Sequence, residues 1–231
     1  MPITLYDLAG AEPERRFSPF CWRIKMALAH KGLAVETIPW RFTEKDRLPQ
    51  PNQGRVPVIV DNGTVVHDST AIADYLEAQY PDRPSLFGGA VGRALTSFVQ
   101  NWTETVLHPG LIEFAVLDIW RHAAAQDQPY FRQSREERFG KTLEEVCNGR
   151  ETRLPAFRAS LAPLRRTVER QQFLGGAAPL YVDYIVFGAF QWVRAISDFE
   201  VLAADDPVSA WRSRMLDLFG GFARRHPAYG D

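Results

Sequence analysis

Apolar and polar residues alternate along Ile3-Thr4-Leu5-Tyr6, the period-two pattern of a short strand. From residue 20 to residue 30 the period lengthens. Ile24, Ala27 and Leu28 return at helical spacing, with Ser18 at the N-cap, Pro19 at the first helical position and Gly32 closing the far end. Val35-Glu36-Thr37-Ile38-Pro39-Trp40 predicts a second strand, so the chain opens with a βαβ unit. A polar, Pro-rich loop over residues 41–55 follows. Residues 56–60 and 64–67 then read as two strands joined by Asp61-Asn62-Gly63, because an Asn-Gly turn between apolar runs is the strongest short-range hairpin signal. Asp68-Ser69 opens another helix, with Ile72, Tyr75, Leu76 and Tyr80 on one face and Pro81 at its end.

Beyond Phe87 the texture changes. Helical spacing recurs in Leu95/Phe98/Val99/Trp102, Leu161/Leu164/Val168, Ile185/Phe187/Phe190/Val193 and Trp211/Met215/Leu218/Phe219, with no second hairpin signal. The pattern therefore predicts an α/β sheet domain over residues 1–82, a linker over 83–89 and an all-helical domain over 90–231.

Composition narrows the function classes. The 231 residues are 45% hydrophobic and 24% charged, ordinary globular values that argue against disorder and disulfide-dense scaffolds. No apolar run approaches the ~18 residues needed to span a bilayer, and the start lacks the basic and apolar regions of a secretory signal, so a cytoplasmic location is expected. Lys and Arg total 27 against 28 Asp and Glu, and neither domain is polarised. Phosphate backbones and anionic membranes both select basic surfaces, so neither nucleic acid nor membrane is expected as a partner. Cys21 and Cys147 stand far apart and at no metal-ligand spacing, so neither a structural disulfide nor a metal site is expected.

Pro57 interrupts an otherwise good strand, at the cost of a ladder hydrogen bond. It reads either as a trans edge-strand proline or as a cis proline that turns the N–H and C=O of Val56 outward toward an extended ligand. Ser18-Pro19-Phe20-Cys21 opening a helix after the first strand, Val56-Pro57 at the third strand and Asp68-Ser69 after the fourth together resemble the thioredoxin-like domain of the cytosolic glutathione transferases. The helical second half extends that resemblance over the whole chain. Phe17-Ser18-Pro19-Phe20-Cys21-Trp22-Arg23, Ala29-His30-Lys31-Gly32 and Arg55-Val56-Pro57-Val58-Ile59-Val60-Asp61 further resemble the bacterial glutathione-dependent β-etherase branch and its fungal relatives. The stretch from Ser134-Arg135-Glu136 through Leu143-Glu144-Glu145-Val146, with Gly149-Arg150-Glu151 and Arg153-Leu154-Pro155, carries the same likeness into the helical domain.

The resemblance implies glutathione as co-substrate and no metal. It places Ser18 as the catalytic donor to the thiolate, a role that an N-cap serine can fill while capping the helix. Asp68 and Ser69 would hold the γ-glutamyl end, although both residue types also suit a plain helix cap. Val56 and Pro57 would face the peptide backbone of glutathione, and Arg55 its glycyl carboxylate. Cys21 occupies the second position of a Cys-x-x-Cys whose first cysteine is replaced by Ser18, which argues for a packed thiol and against dithiol chemistry. Arg23 is expected in a structural pair, and Arg158, Arg165, Arg166 and Arg170 on a solvated face. Asp183 sits where the family has a capping acid, but Leu180 replaces the usual Ser or Thr.

The second substrate, a small hydrophobic electrophile, should meet an apolar wall. Phe20, Trp40, Trp102 and Phe114, with Trp120 and Trp192, are candidates, and each fits a helix core equally well. His108 and His122 have no partner at motif spacing. The resemblance also implies a homodimer. Three activities follow as expectations: transfer of glutathione to an aromatic electrophile, cleavage of a β-aryl ether by glutathione, or non-catalytic sequestration of aromatic ligands.

Overall fold

A computed structural model describes residues 2–229. Strand β1 (Ile3–Leu8) and strand β2 (Val35–Trp40) run parallel, Ile3 opposite Val35, joined across helix α1 (Pro19–His30). Strand β3 (Val58–Asp61) is antiparallel to β1, with Tyr6 opposite Val58, and β4 (Thr64–His67) is antiparallel to β3. The sheet order is β2-β1-β3-β4. Asn62 and Gly63 both take positive φ, the backbone that a two-residue turn of the strands' own twist requires. Helix α2 (Ser69–Gln79) completes the first half.

The rest is helical: α3 (Ala90–Trp102), a π-helical turn Thr103–Leu107, α4 (His108–His122), α5 (Gln128–Phe139), α6 (Leu143–Cys147), α7 (Arg150–Ser160), α8 (Ala162–Val168), α9 (Tyr181–Ile196) and α10 (Pro207–Gly221). Among the described residues none of these helices is long and apolar enough to cross a membrane.

The structure departs from the expected pattern at three places, and at a fourth the expected helix turns its apolar residues outward. Val56 lies outside β3, which starts at Val58, because Pro57 has no N–H to give the ladder. Leu218 and Phe219 do not extend a regular helix: Leu218 is extended and Phe219 has φ +53°, next to Gly220 and Gly221 in the same region. Leu95 and Phe98 keep helical spacing but face outward, 64% and 74% exposed. Arg158 and Arg165 do not merely cover a solvated face. Arg165 grips Asp206 at 2.7 Å, and Arg158 donates to the carbonyls of Glu200 and Val201, so both tie helices to the segment before α10.

Helix α9 runs through the middle of the molecule and is buried almost all round. Its start is fixed by Asp183, whose carboxylate accepts from the N–H groups of Leu174, Gly175 and Leu180 and from Trp211 Nε1. Leu180 cannot return the bond, so half a capping box is formed and the loop amides and indole supply the remainder. Midway along α9, Gly188 meets the first turn of α1. A Cβ there would stand 2.4 Å from the Pro19 carbonyl oxygen, so only glycine allows the two helices to approach this closely.

Gly188→Ala should therefore push α9 off α1 and cost about 1–3 kcal/mol. Urea unfolding of the variant checks this, and an unchanged midpoint would contradict so tight a contact.

Candidate active site

A cleft of about 490 Å³ opens where the first turn of α1 faces α4, α5 and α9, a size usual for small-molecule sites. Ser18 and Phe20 form one wall. Trp40 and Phe42, which end and follow β2, and the loop residues Gly54, Arg55 and Val56 form the second. Opposite stand Glu104, His108 and Ile112, then Tyr130, Phe131, Arg135, Arg138 and Phe139 of α5, with Trp192 of α9.

Ser18 is buried and caps α1: its Oγ accepts the Cys21 N–H at 3.2 Å, while Pro19 fills the first helical position. The capping role uses the oxygen as an acceptor only. On the protein side the hydroxyl has the Cys21 sulfur beside it, a weak acceptor, so an anionic group in the cleft would be the better acceptor for its proton. The same group would face the positive end of α1.

The Val56–Pro57 bond is cis. Val56 N–H and C=O have no hydrogen-bond partner among the described residues, and the residue lines the cleft. An extended ligand could pair with both. His67 is paired with Val58, so Asp68 and Ser69 leave β4 at the level where Val56 and Pro57 enter β3. Asp68 takes φ +73° and caps α2, with Oδ1 accepting from Thr70 and Ala71 at 2.8 and 3.1 Å. Its Oδ2 and the Ser69 hydroxyl have no partner among the described residues. Pro57, Asp68 and Ser69 do not line the aromatic cleft itself; they flank the end of the sheet that borders it.

Across the cleft, the π-helical turn makes the site. Pro109 has no N–H, so the ladder is re-registered just before it, and the His108 N–H bonds back to the Thr103 carbonyl. Glu104 and His108 both face the cleft. Arg23, fully buried in α1, pairs with Glu104 at 3.0 Å and lies over the Phe20 ring, confirming the structural pair expected of it. His108 packs edge-on against Phe20 and Trp192, and burial, assisted by the Arg23 charge, pushes its pKa down to about 3. Its imidazole is neutral throughout the physiological range.

Of the aromatic candidates, Phe20, Trp40 and Trp192 line the cleft. Phe114 does not: it is buried in the helical core, stacked on Phe199 and edge-on to Phe157. Trp102 packs against the core outside the cleft lining, and Trp120 lies under Arg132. Both α4 aromatics sit on faces that helical spacing alone could not orient. The sequence leaves His108 without a role and gives none to Glu104 or Arg135. Pro109, inside an otherwise helical pattern, was the available signal for the first two.

Two family models match the chain, the glutathione S-transferase N-terminal domain over residues 13–84 and the glutathione S-transferase C-terminal domain over residues 94–217. The chain belongs to the glutathione S-transferase family. Glutathione S-transferase omega-1 of Mus musculus is 28% identical over 208 residues, spanning 87% of this chain and 73% of that protein. The crystal structure of glutathione transferase GSTFuA3 from Phanerochaete chrysosporium superimposes with a TM-score of 0.75 at 27% identity, covering 97% of this chain and 94% of that one. A Ceriporiopsis subvermispora glutathione S-transferase solved in complex with glutathione shares the fold, with a TM-score of 0.72 at 24% identity over 97% of this chain and 94% of that one.

In a glutathione S-transferase a protein thiol near the helix start could compete with the serine. Here Cys21 is fully buried, with Sγ 3.9 Å from the Tyr6 carbonyl. Burial, reinforced by the Asp7 carboxylate, pushes its pKa far up, so it stays a neutral packed thiol. Among the described residues no group of three or more His, Cys, Asp or Glu side chains is arranged to hold a metal ion.

Proposed function

We propose that the protein binds glutathione along Val56 and the start of α2 and directs its thiolate at an aromatic electrophile in the cleft. The reading is carried by one observation: a buried serine hydroxyl with no neighbour stronger than the weakly accepting Cys21 sulfur for its proton, at the positive end of α1, on the wall of an aromatic cleft. A free thiol of pKa near 8.5 is about one part in thirty thiolate at pH 7. Lowering that pKa by ~2 units takes ~2.7 kcal/mol, within reach of one charge-assisted hydrogen bond together with a helix N-terminus. Val56 pairs with the peptide backbone of glutathione, Arg55 meets the glycyl carboxylate, Ser69 and the first-turn amides of α2 meet the γ-glutamyl carboxylate, and Asp68 Oδ2 faces the ammonium. The thiolate then forms a sulfur–carbon bond as the leaving group departs with its electron pair.

The finer proposal concerns the substrate. A β-aryl ether beside a ketone suits the chemistry, because the carbonyl favours displacement by a soft thiolate and a phenolate is a tolerable leaving group. It is favoured by α5: Arg135, Arg138 and Phe139, within the stretch resembling the β-etherase branch, contribute to the cleft wall. Incubation with glutathione and a fluorogenic α-aryloxy ketone should release the phenol and leave the glutathione thioether. Conjugation of a simple aryl halide without phenol release would reduce the activity to general transfer. Tight binding of aromatic dyes with neither product would turn the protein into a sequestering one.

The proposed assembly is a homodimer through α3. Val91, Leu95 and Phe98, at helical spacing, are 75%, 64% and 74% exposed, an apolar stripe that a second copy of the chain would cover. The protein should sediment as a dimer and Phe98→Asp as a monomer; a monomeric parent protein would overturn this assembly.

A further inference from the structure

The charges of the cleft do not balance. Its one acidic lining residue, Glu104, is already paired with Arg23, whereas Arg55, Arg135 and Arg138 have no carboxylate within ion-pair distance among the described residues. Resting on the reading above, glutathione brings two carboxylates, one to the start of α2 and the other to Arg55. Arg135 and Arg138, both on α5, are left unclaimed. Arg138 is exposed, and water screens it. Arg135 is half-buried, its guanidinium 4.6 Å from the Phe131 ring centroid and 5.7 Å from that of Phe42. A guanidinium covered on its face by rings presents its N–H edge. One of those groups donates to Ser134 Oγ at 2.8 Å, and Tyr130 lies beside it, but neither neighbour is an anion.

We propose that Arg135 is a specificity-determining residue that binds a carboxylate on the aromatic electrophile. The substrate class is thereby narrowed from neutral aromatics to aromatic acids whose ring lies along Phe42 and Phe131. The anchor belongs to the second substrate, since Arg135 stands on the helical half while every residue assigned to glutathione stands on the sheet half.

The test compares 4-chloro-3,5-dinitrobenzoate with the corresponding benzamide. In both, the thiolate attacks the chlorine-bearing ring carbon, the sulfur–carbon bond forms and chloride leaves with the electron pair, so the reactions differ only at the distant group. With each value divided by the uncatalysed rate with glutathione, which the para group also tunes, the parent protein should show the higher kcat/KM for the benzoate. Arg135→Gln should lower that value about tenfold or more, leave the benzamide within about twofold and leave the calorimetric affinity for glutathione unchanged; Arg135→Lys, which keeps the charge, should retain part of the preference. Equal losses on both substrates, or a matching fall in glutathione affinity, would overturn the assignment. Calorimetry with the two preformed glutathione conjugates reads the same contact without turnover. A preference for the carboxylate conjugate that Arg135→Gln abolishes supports the assignment even where the enzymatic reading fails, and equal affinities overturn it.

Discussion

Everything at the cleft depends on how closely the first turn of α1 is held against the helical half. Gly188 lets α9 pass within van der Waals reach of the Pro19 carbonyl, one residue from Ser18. Four residues further along α1, Arg23 crosses to Glu104 on the π-helical turn. One contact is steric and the other ionic, and together they set where the serine hydroxyl stands relative to the aromatic wall. A buried arginine is expensive to desolvate, so its value here lies in registering two elements, a positional role that a pair of apolar side chains of similar volume would not supply.

Beneath α1 the electrostatics separate the two candidate nucleophile positions. Lys25 pairs with Asp7 at 2.9 Å in the fully buried layer between helix and sheet, with Arg16 near the same carboxylate. Asp7 lies on the Cys21 side of the helix and opposes a thiolate there. Ser18, one turn earlier, faces the open cleft and the unopposed helix terminus. A single turn of helix thus divides a buried, neutral thiol from a hydroxyl on the cleft wall.

Much of this was legible in the sequence. The βαβ-ββα order, the Asn-Gly hairpin, the cap at Ser18 and the helical second half all rest on local chemistry: period, turn residues and caps. What was not legible depends on which face a helix turns inward. Phe114 and Phe20 are both phenylalanines at helical spacing, yet one fills a core and the other a cleft, because the angle of α4 against α9 and α5 is a property of packing. The π-helical turn has the same character. Pro109 signals a disturbed ladder, but only the tertiary arrangement decides that the extra residue swings Glu104 and His108 toward Ser18. The outward apolar face of α3 likewise keeps a helical period, and periodicity alone does not say whether the face it marks is buried or exposed.

The central claim is that the Ser18 hydroxyl, and not Cys21, stabilises the thiolate. Ultraviolet titration of the glutathione thiolate bound to the parent protein, to Ser18→Ala and to Cys21→Ala tests it directly. The account predicts that the bound thiol titrates below its free value in the parent and in Cys21→Ala, and that its pKa rises in Ser18→Ala. An unchanged titration in Ser18→Ala, together with a raised one in Cys21→Ala, would contradict it.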